Sequence, residues 1–414
     1  MENTNRVRLG VIADDFTGAA DAASFLTKQG AKTILLTKIP DSLNHECECV
    51  VIALKSRSVE PEEAIKQTKR AVDFLKSINT ERYYFKYCST FDSTPRGNIG
   101  VVLDFLLDYL GLPYTVICPS LPVNGRTVKN GVLYVNGVKL SESPMKDHPL
   151  NPMWSSYIPT LMKDQSKHGC FVATRENMTE VYVRKILEQA NKEGKKFYLV
   201  PDYETDSDGR NIAELTSGLK LLSGGSGLLE HLVPAKDHFH DLACHSKKNA
   251  RKSIILCGSC SRKTKMQISE YIKNGGVVYP VDSKKLLDGS LSSEDIANFI
   301  RDNEGNTVLV YSDAINKDLD SLRESDTFGA ESKMMEQLMA DLSDFARQNN
   351  FARIVVAGGE TSGAVTMKLG YDSYFIGDII SPGIPTLIPV DNAELELILK
   401  SGNFGEEDFF VKLA

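Results

Sequence analysis

Polar side chains that could take part in chemistry follow the first apolar run of the chain. Asp14 and Asp15 come directly after residues 9–13 and lead into a helical pattern. Two adjacent carboxylates repel a phosphate group, but they can bind the hydroxyl groups of a polyol, bind a metal ion or accept a proton from an attacking hydroxyl. Capping the helix would require only one carboxylate. The pair therefore favours a functional role.

A second polar segment, residues 86–100, connects a strand pattern to a helical pattern. Arg96 lies near the expected helix start, where the helix dipole disfavours a cation unless an anion binds there. A substrate carboxylate would resolve this conflict, because a guanidinium can bind it through two hydrogen bonds. The alternative is a turn whose Ser and Thr hydroxyls bond their own backbone. The other candidate site residues of this segment are Lys86, Asp92, Ser93 and Thr94.

A third segment, residues 119–127, is stiffened by two prolines and carries Asn124 and Arg126. Arg126 is a further candidate for a substrate carboxylate, although exposed arginines are common in loops. Further along the chain, Asp147, His148 and Asn151 are compatible with the same site. Together the three segments predict a site of carboxylates and arginines in the first half of the chain.

Glycine-rich loops follow apolar runs in the second half. Gly258-Ser259 precedes a helical pattern, and residues 358–363 (GGETSG) do the same. Backbone N–H groups in such turns bind anions, and two such loops suit the phosphates of a nucleotide. Their spacing matches neither the dinucleotide fingerprint nor a Walker A loop. Glu360 would suit a metal, a ribose hydroxyl or a water, and residues 224–227 (GGSG) could be an anion loop or simply a tight turn.

Apolar runs alternate with helical patterns along most of the chain, which is typical of parallel sheets covered by helices on both faces. The pattern predicts two α/β domains with mainly parallel sheets and a cleft between them. Apolar periodicity is lost at about residues 236–252, which we take as the linker. The domains are then residues 1–235 and 253–414. A β-hairpin with a type I′ turn at Asn136-Gly137 is expected near residues 131–140.

Composition excludes several classes of partner. The 414 residues include 48 basic and 55 acidic side chains, so the net charge of −7 argues against nucleic acid or an anionic membrane. The N-terminus lacks an apolar leader and no apolar run is long enough to span a membrane, which predicts a cytoplasmic protein. The eight cysteines are scattered and are expected to be reduced, including Cys257 and Cys260. A homo-oligomer is compatible with the sequence.

Seven ordered segments resemble the four-carbon acid sugar kinase family. The wording of residues 52–58 (IALKSRS) and 85–94 (FKYCSTFDST) is most similar to that of the 3-oxo-tetronate kinases. The seven segments span nearly the whole chain: VIADDFTGAAD (11–21), STFDSTPRGNIG (89–100), PSLPVNGRTV (119–128) with its hairpin, GGSGL (224–228), CGSCSRKTKMQI (257–268), AGGETSGAV (357–365) and SPGIP (381–385).

The resemblance implies an N-terminal domain for the acid sugar and a C-terminal domain for the nucleotide. It implies transfer of a phosphoryl group from ATP, with Mg²⁺, to the 4-hydroxyl of 3-oxo-tetronate, or alternatively of D-threonate or D-erythronate. The metal ligands stay unassigned. By resemblance, ATP should contact Ser259, the loop of Gly358, Gly359, Glu360 and Thr361, and a glycine near Gly402 or Gly405.

In such a reaction Asp15 or Asp92 would accept the hydroxyl proton, with Lys86 steadying the developing charge. Arg96 and Arg126 would bind the substrate carboxylate. Asp14, Ser93, Thr94 and Asn124 complete the expected substrate contacts. One rival of another class is a non-catalytic protein that binds sugar acids. A nicotinamide-dependent oxidoreductase is disfavoured by the missing dinucleotide fingerprint.

Overall fold

The computed structural model describes residues 6–147, 151–235, 252–313 and 328–414. Contacts divide the chain into two compact units, residues 1–239 and 240–414. The predicted linker at about 236–252 lies outside the described residues except for Lys252. The domain boundaries predicted from sequence therefore stay predictions. No helix in the described segments is both long and apolar enough to cross a membrane.

Strands in the first unit belong to three sheets, and its helices lie between them in sequence. The strands are β1 (Leu9–Ala13), β2 (Thr33–Leu36), β3 (Cys49–Ala53), β4 (Arg82–Lys86), β5 (Tyr114–Val116), β6 (Arg126–Lys129), β7 (Val132–Val135), β8 (Val138–Lys139), β9 (Gly169–Ala173), β10 (Phe197–Pro201) and β11 (Leu221–Gly224). The helices are α1 (Phe16–Lys28), α2 (Pro61–Ser77), α3 (Asn98–Tyr109), α4 (Ile158–Lys163), α5 (Glu180–Lys192) and α6 (Asp206–Leu215), with 3₁₀ turns at Pro122–Asn124, Leu140–Glu142, Pro144–Asp147 and Gly227–His231.

The main sheet of the first unit is parallel, in the order β11-β4-β1-β3-β2. Every residue of β1 and β3 is buried, as expected for strands covered on both faces. Ala13 pairs with Ala53 of β3 on one side and with Lys86 of β4 on the other. Because the three strands end in register, the loops that begin at Asp14, Leu54 and Tyr87 leave the sheet side by side.

The predicted hairpin is confirmed and belongs to a slightly larger element. Asn136 and Gly137 have φ angles of 51° and 78°, as a type I′ turn requires, and they join β7 to β8. On its other side β7 pairs with β6 in antiparallel register, which gives a three-stranded sheet. Strands β5, β10 and β9 form a separate small parallel sheet.

The second unit contains one sheet with helices between its strands. The strands are β12 (Ser253–Cys257), β13 (Val277–Val281), β14 (Val308–Ser312), β15 (Arg353–Ala357), β16 (Ser373–Ser381), β17 (Ile384–Pro389) and β18 (Glu396–Lys400). The helices are α7 (Arg262–Lys273), α8 (Ser283–Leu287), α9 (Ser293–Asp302), α10 (Phe328–Gln348), α11 (Gly359–Leu369) and α12 (Phe409–Leu413).

The order across this sheet is β16-β17-β18-β15-β12-β14-β13. Strands β18, β15, β12, β14 and β13 are parallel, whereas β17 is antiparallel to both of its neighbours. Cys257, Ala357 and Lys400 face one another at the strand ends. The loops after β12, β15 and β18 therefore emerge together. The α/β class predicted from sequence is confirmed, but the antiparallel strand pair was not foreseen.

The glycines of residues 224–227 allow two backbone segments to pack closely. A Cβ on Gly224 would lie 2.1 Å from the carbonyl oxygen of Cys118, and one on Gly225 would lie 2.6 Å from that of Pro119. A Cβ on Gly227 would lie 2.4 Å from the carbonyl oxygen of Ser120. Close packing explains all three glycines, so the tight-turn interpretation of this segment is the one that the structure supports.

We predict that Gly224→Ala destabilises the protein by about 2–3 kcal/mol, because the added methyl group meets a backbone carbonyl that cannot move aside. Chemical denaturation would measure the change in the free energy of unfolding. Gly218→Ala is the matched control, since no atom lies within 4 Å of its added Cβ. Its effect should stay within about 1 kcal/mol. Equal effects of the two substitutions would contradict the packing argument.

Candidate functional site

The guanidinium of Arg57 lies among three carboxylates at the ends of β1, β3 and β4. Its Nε and Nη2 donate to the two oxygens of Asp14 at 2.9 and 2.8 Å. Its Nη1 donates to Asp92 Oδ2 at 3.1 Å and lies 3.0 Å from Asp15 Oδ2. Burial by itself would lower the pKa of Arg57, but the three carboxylates outweigh burial and raise it well above its ordinary value. We call these four side chains the Arg57 cluster.

Backbone contacts hold Arg57 in this place. The N–H groups of Ser56 and Arg57 donate to the carbonyl oxygen of Asp14 at 3.1 and 3.2 Å, so the loop after β3 is joined to the loop after β1. Asn98, the first residue of α3, donates from Nδ2 to the carbonyl oxygens of Ser56 and Val59, both at 2.8 Å. The start of α3 is thereby joined to the same loop.

Asp92 reaches Arg57 through an unusual backbone conformation. Phe91 and Asp92 have φ angles of 64° and 44°, in the left-handed region that side-chain-bearing residues seldom adopt. Phe91 is fully buried and packs edge-on against Tyr87 at 5.6 Å between ring centroids. Burial of this ring compensates for the backbone strain, and strain of this kind is concentrated at functional sites. Asn151 also donates to Asp92 Oδ1 at 3.0 Å.

Asp14 and Asp15 are adjacent but have opposite proton affinities. Burial raises the pKa of Asp14 above its ordinary value despite the opposing charge of Arg57. Asp15 caps α1 by accepting a hydrogen bond from Gly18 N at 2.7 Å and a second from Thr17 Oγ1 at 2.9 Å. Burial works against ionisation here too, but Arg57, Lys86 and these hydrogen bonds outweigh it and lower the pKa of Asp15. Asp15 therefore stays ionised.

Lys86 lies beside a further buried carboxylate, that of Asp21. It is the last residue of β4 and only 2% exposed, and its Nζ lies 3.5 Å from Asp21 Oδ2 and donates to the carbonyl oxygen of Tyr87 at 3.1 Å. Asp21 also accepts a hydrogen bond from Ser226 Oγ in the 224–227 turn. Burial raises the pKa of Asp21, and Lys86 and Ser226 act in the opposite direction. The turn at Ser226 thus helps to position Lys86.

The remaining residues of the 89–100 segment separate into buried and exposed members. Ser93 is 5% exposed and lines a small pocket with Asp14, Arg57 and Asp92. Thr94 is half-buried and Arg96 is exposed. The Arg96 side chain lies two residues before α3, as expected, but outside the Arg57 cluster.

Two polar atoms in the wall of this pocket make no hydrogen bond with the described residues. They are Oγ of Ser56 and Oδ1 of Asn98, whose residues are 1% and 6% exposed. Buried polar atoms normally find a partner, so their position is typical of a place where a ligand or water binds. Hydroxyl groups of a polyol would satisfy both.

Arg126 and Asn124 form a second candidate position, where Asp21 acts on the charge of Arg126. Arg126 is 6% exposed, and its guanidinium donates to the carbonyl oxygen of Asn124. Burial lowers the pKa of Arg126, while Cys88 and Asp21 act in the opposite direction. Nδ2 of Asn124 is buried without a hydrogen-bond partner in the described residues. A bound carboxylate would favour the charged form of Arg126.

In the second unit, Ser259 and Thr361 meet beside two glycines. A Cβ on Gly258 would lie 2.0 Å from Thr361 Oγ1, and Gly358 has a φ of 127° that disfavours a side chain. The N–H groups of Gly258 and Ser259 both donate to the carbonyl oxygen of Ala357. Gly358 also caps α11, so the positive end of the helix dipole lies at this loop. Gly359 is exposed there and Glu360 is half-buried in the first turn.

The segment after β18 joins the same place. A Cβ on Gly402 would lie 2.4 Å from Ser259 Oγ, whereas one on Gly405 would meet the ring of Phe409 at 2.9 Å and Gln267 Nε2 at 3.2 Å. Gly402 is therefore brought against Ser259, and Gly405 turns toward α7 and α12. The buried Oγ of Ser362 has no hydrogen-bond partner among the described residues. A polar ligand at the start of α11 would supply one.

The described residues contain no group of three or more His, Cys, Asp or Glu side chains arranged to hold a metal ion. In the first unit, the guanidinium of Arg57 occupies the position between three carboxylates that a divalent cation would otherwise take. The carboxylates of this cluster therefore serve hydroxyl binding or proton transfer better than metal binding.

Sequence reasoning did not assign Arg57 or Asp21. A signal for Arg57 was present, because it follows the apolar run at residues 50–54 just as Asp14 follows the run at 9–13. Parallel strands that neighbour each other would place those two loops together. Asp21 lies inside a helical pattern, where an acidic residue is ordinarily taken as a solvated one, although it closes the VIADDFTGAAD segment (11–21) that carries part of the family resemblance.

Family models match both halves of the chain. A model described as a sugar-binding N-terminal domain matches residues 9–232, and a model described as a nucleotide-binding C-terminal domain matches residues 254–410. The first match contains the Arg57 cluster and Lys86. The second contains the glycine loops.

Curated relatives and solved structures match nearly the full length. A 3-oxo-tetronate kinase of Brucella melitensis is 41% identical over 98% of this chain and 94% of its own length. One from Salmonella typhimurium is 37% identical and covers 98% of both chains. A crystal structure of a Salmonella typhimurium protein superposes with a TM-score of 0.81 at 36% identity, covering 98% of each chain. One from Haemophilus influenzae gives a TM-score of 0.72 at 37% identity, covering 97% of this chain and 98% of its own.

We predict that Arg57→Met destabilises the protein by about 3–5 kcal/mol at neutral pH, because it leaves carboxylates buried without their partner. Without Arg57, burial and the repulsion of Asp15 hold the pKa of Asp14 still further above its unfolded value. The native state then binds more protons than the unfolded state, so the deficit should shrink as the pH falls from 7 toward 5. Denaturation at both pH values measures this.

Arg210→Met is the matched control, since Arg210 forms an exposed ion pair with Asp206 alone. Its effect should be below about 0.5 kcal/mol at either pH. A deficit in Arg57→Met that is the same at pH 5 and pH 7 would contradict the electrostatic role assigned to Arg57.

Proposed function

We propose that this chain, which belongs to the four-carbon acid sugar kinase family, transfers the γ-phosphoryl group of ATP to the 4-hydroxyl of 3-oxo-tetronate. The observation that carries the proposal is full-length similarity to 3-oxo-tetronate kinases at up to 41% identity. The two units also contain the two kinds of site that the reaction requires. One offers carboxylates for hydroxyl groups, and the other offers backbone N–H groups for phosphates.

Asp92 is the favoured acceptor of the hydroxyl proton. Phosphoryl transfer depends mainly on positioning and on stabilising charge, with a carboxylate to take the proton. Asp15 is a weaker candidate, because Arg57, Lys86 and its own hydrogen bonds lower its pKa and with it the affinity for a proton. Asp92 is held by Arg57 and Asn151 in a strained loop, which supports a role that depends on position.

Lys86 suits the stabilisation of negative charge that develops on the transferred group. It is buried, and Asp21 holds it beside the start of α1. A Cβ on Gly18 would lie 3.1 Å from Lys86 Nζ, which places the ammonium against the first turn of that helix. Both the ammonium and the helix N-terminus favour an anion at this position.

The substrate carboxylate is assigned to Arg126, with Arg96 as the second candidate. Arg57 is already saturated by three carboxylates, so it can bind a further anion only by losing one of them. Arg126 is buried and its guanidinium donates to the backbone carbonyl of Asn124, whose side-chain amide nitrogen has no hydrogen-bond partner among the described residues. A bound carboxylate could accept from both groups. Arg96 is exposed and would bind an anion less strongly.

ATP is assigned to the second unit, where Ser259, the Gly358–Thr361 loop and Gly402 lie together. The N-terminus of α11 and the free hydroxyl of Ser362 support phosphate binding. Mg²⁺ remains part of the proposal as the usual partner of ATP. When bound with ATP, it would help to neutralise the charge that develops on the phosphates.

We also propose a cytoplasmic location. The seven cysteines in the described part of the chain are free thiols, which is the state that a reducing compartment maintains. ATP is supplied in the same compartment.

We predict that ADP release is fastest with a 3-oxo-tetronate, by at least about ten-fold in kcat/KM over D-threonate and D-erythronate, since a site that binds a given polar group discriminates against analogues lacking it. A coupled ADP-release assay across these acids, with 3-oxo-tetronates of both configurations, measures this. A preference for D-threonate or D-erythronate would replace the proposed substrate. No ADP release with any acid, together with no thermal shift by ATP–Mg²⁺, would favour a sugar-acid binding protein instead.

We predict that Asp92→Asn lowers kcat by at least about 100-fold, because the amide keeps the shape but cannot accept a proton. Asp15→Asn should lower kcat less than about ten-fold, since asparagine also caps helices well. Asp282→Asn is the control, because Asp282 caps α8 in the same way at a different place. Full turnover in both Asp92→Asn and Asp15→Asn would exclude both residues as the base. A larger loss of kcat in Asp15→Asn than in Asp92→Asn would assign the role of base to Asp15 instead.

A further inference from the structure

Lys400 is a buried lysine that has no carboxylate partner among the described residues. It is the last residue of β18 and is 0% exposed. Its ammonium forms no ion pair with any residue that the structure describes. The centroid of the Phe410 ring lies 5.9 Å from Lys400 Nζ. An ammonium is costly to bury, and a methionine of similar length would fill the same space at lower cost. Its presence therefore calls for a function.

The oxygens that Lys400 Nζ contacts belong to the segment after β18 and to the first turn of α7. The ammonium donates to the carbonyl oxygens of Ser401 at 3.0 Å, Gly402 at 3.1 Å and Phe404 at 3.3 Å. A fourth oxygen, Thr264 Oγ1, lies at 3.3 Å. Three inward-pointing carbonyl groups around one positive charge resemble the way a protein backbone coordinates a monovalent cation. The segment after β18 is wrapped around the lysine.

Carbonyl groups that point inward turn N–H groups outward. In a trans peptide the C=O of one residue and the N–H of the next point in opposite directions, and the described peptides are trans. The N–H groups of Gly402, Asn403 and Gly405 therefore point away from Lys400 Nζ. None of the three donates a hydrogen bond to the described residues. Successive outward N–H groups form a site for an anion.

Two other contacts connect Lys400 to the rest of the nucleotide loops. The carbonyl oxygen of Gly402 also accepts from Ser261 Oγ at 2.6 Å and from Thr264 Oγ1 at 2.9 Å, which joins the loop before α7. The main-chain carbonyl of Lys400 accepts from Gly358 N at 2.9 Å, which joins the loop before α11. One residue thus contacts both loops with its backbone and side chain.

We propose that Lys400 is a positioning residue for nucleotide binding, whose ammonium acts as a built-in monovalent cation and turns the N–H groups of Gly402, Asn403 and Gly405 toward the nucleotide phosphates. The proposal rests on the proposed function, because it assumes that ATP binds at these loops. It assigns Lys400 no contact with the reacting atoms.

The protonation of Lys400 gives the proposal a pH signature. Burial lowers the pKa of Lys400 to about 7, with Lys263 of α7 acting in the same direction and Cys257 of β12 opposing it. As the pH rises through this value, the ammonium loses a proton and with it one donor to the carbonyl oxygens. Nucleotide affinity should therefore fall between pH 7 and pH 9, where phosphate groups that titrate near pH 6 are already ionised.

Calorimetric titration with ADP tests the proposal. In Lys400→Met we expect the Kd for ADP and the KM for ATP to rise at least ten-fold, with the KM for the acid sugar changed less than two-fold. Lys400→Gln, which keeps two donors, should be intermediate and should lose the pH dependence of ADP binding. Lys368→Met is the control, since Lys368 forms an exposed ion pair with Asp341 in the same unit. It should keep the Kd of the unaltered protein within two-fold.

The outcomes distinguish a failure of the proposed function from a failure of the role proposed for Lys400. Failure of the unaltered protein to bind ADP would overturn the proposed function. Binding by the unaltered protein together with unchanged Kd values in Lys400→Met or Lys400→Gln would overturn only the role of Lys400. Loss of a cooperative thermal transition in both variants would also overturn it, because Lys400 would then be a residue required for folding. A pH-independent Kd in the unaltered protein counts against it as well.

Discussion

One guanidinium allows three carboxylates to share the end of a parallel sheet. Without Arg57, the like charges of Asp14, Asp15 and Asp92 would repel one another in surroundings where water cannot screen them. With it, each carboxylate is held in a fixed place and at least one stays ionised. The register of β1, β3 and β4 brings the charges together, so the sheet and the cluster depend on each other.

In the second unit a buried basic residue, Lys400, likewise contacts a loop at the end of a strand. There the ligand is expected to be an anion, and the groups that must be presented are backbone N–H groups. Lys400 binds the carbonyl side of the loop and leaves the N–H side outward. In both units a buried basic side chain contacts a loop at the end of a strand, and under the proposed function the groups left available have the polarity that the ligand requires.

Much of the fold could be predicted from the sequence because apolar runs and turn residues are local signals. The strand at Leu9–Ala13, the helix that begins at Asn98 and the turn at Asn136-Gly137 lie where the pattern placed them. Arg57 and Lys400 could not be found in the same way. A single basic residue after a strand is common, and only the pairing of strands distant in sequence shows which oxygens surround it. The residue types of Phe91 and Asp92 do not predict a left-handed backbone conformation either.

Under the proposed function, the charges in the first unit suit the two ends of the substrate at two different positions. An acid sugar brings a carboxylate, and the Arg57 cluster has no capacity for it, since its single cation already faces three anions. The hydroxyl end is the part that such a cluster can bind, because hydroxyl groups donate to carboxylates. Under the proposed function, the carboxylate end would lie toward the buried guanidinium of Arg126, which donates to the backbone carbonyl of Asn124. That orientation would present a hydroxyl to Asp92 and Lys86, and it would account for selection of an acid by a site whose reacting end is rich in acids.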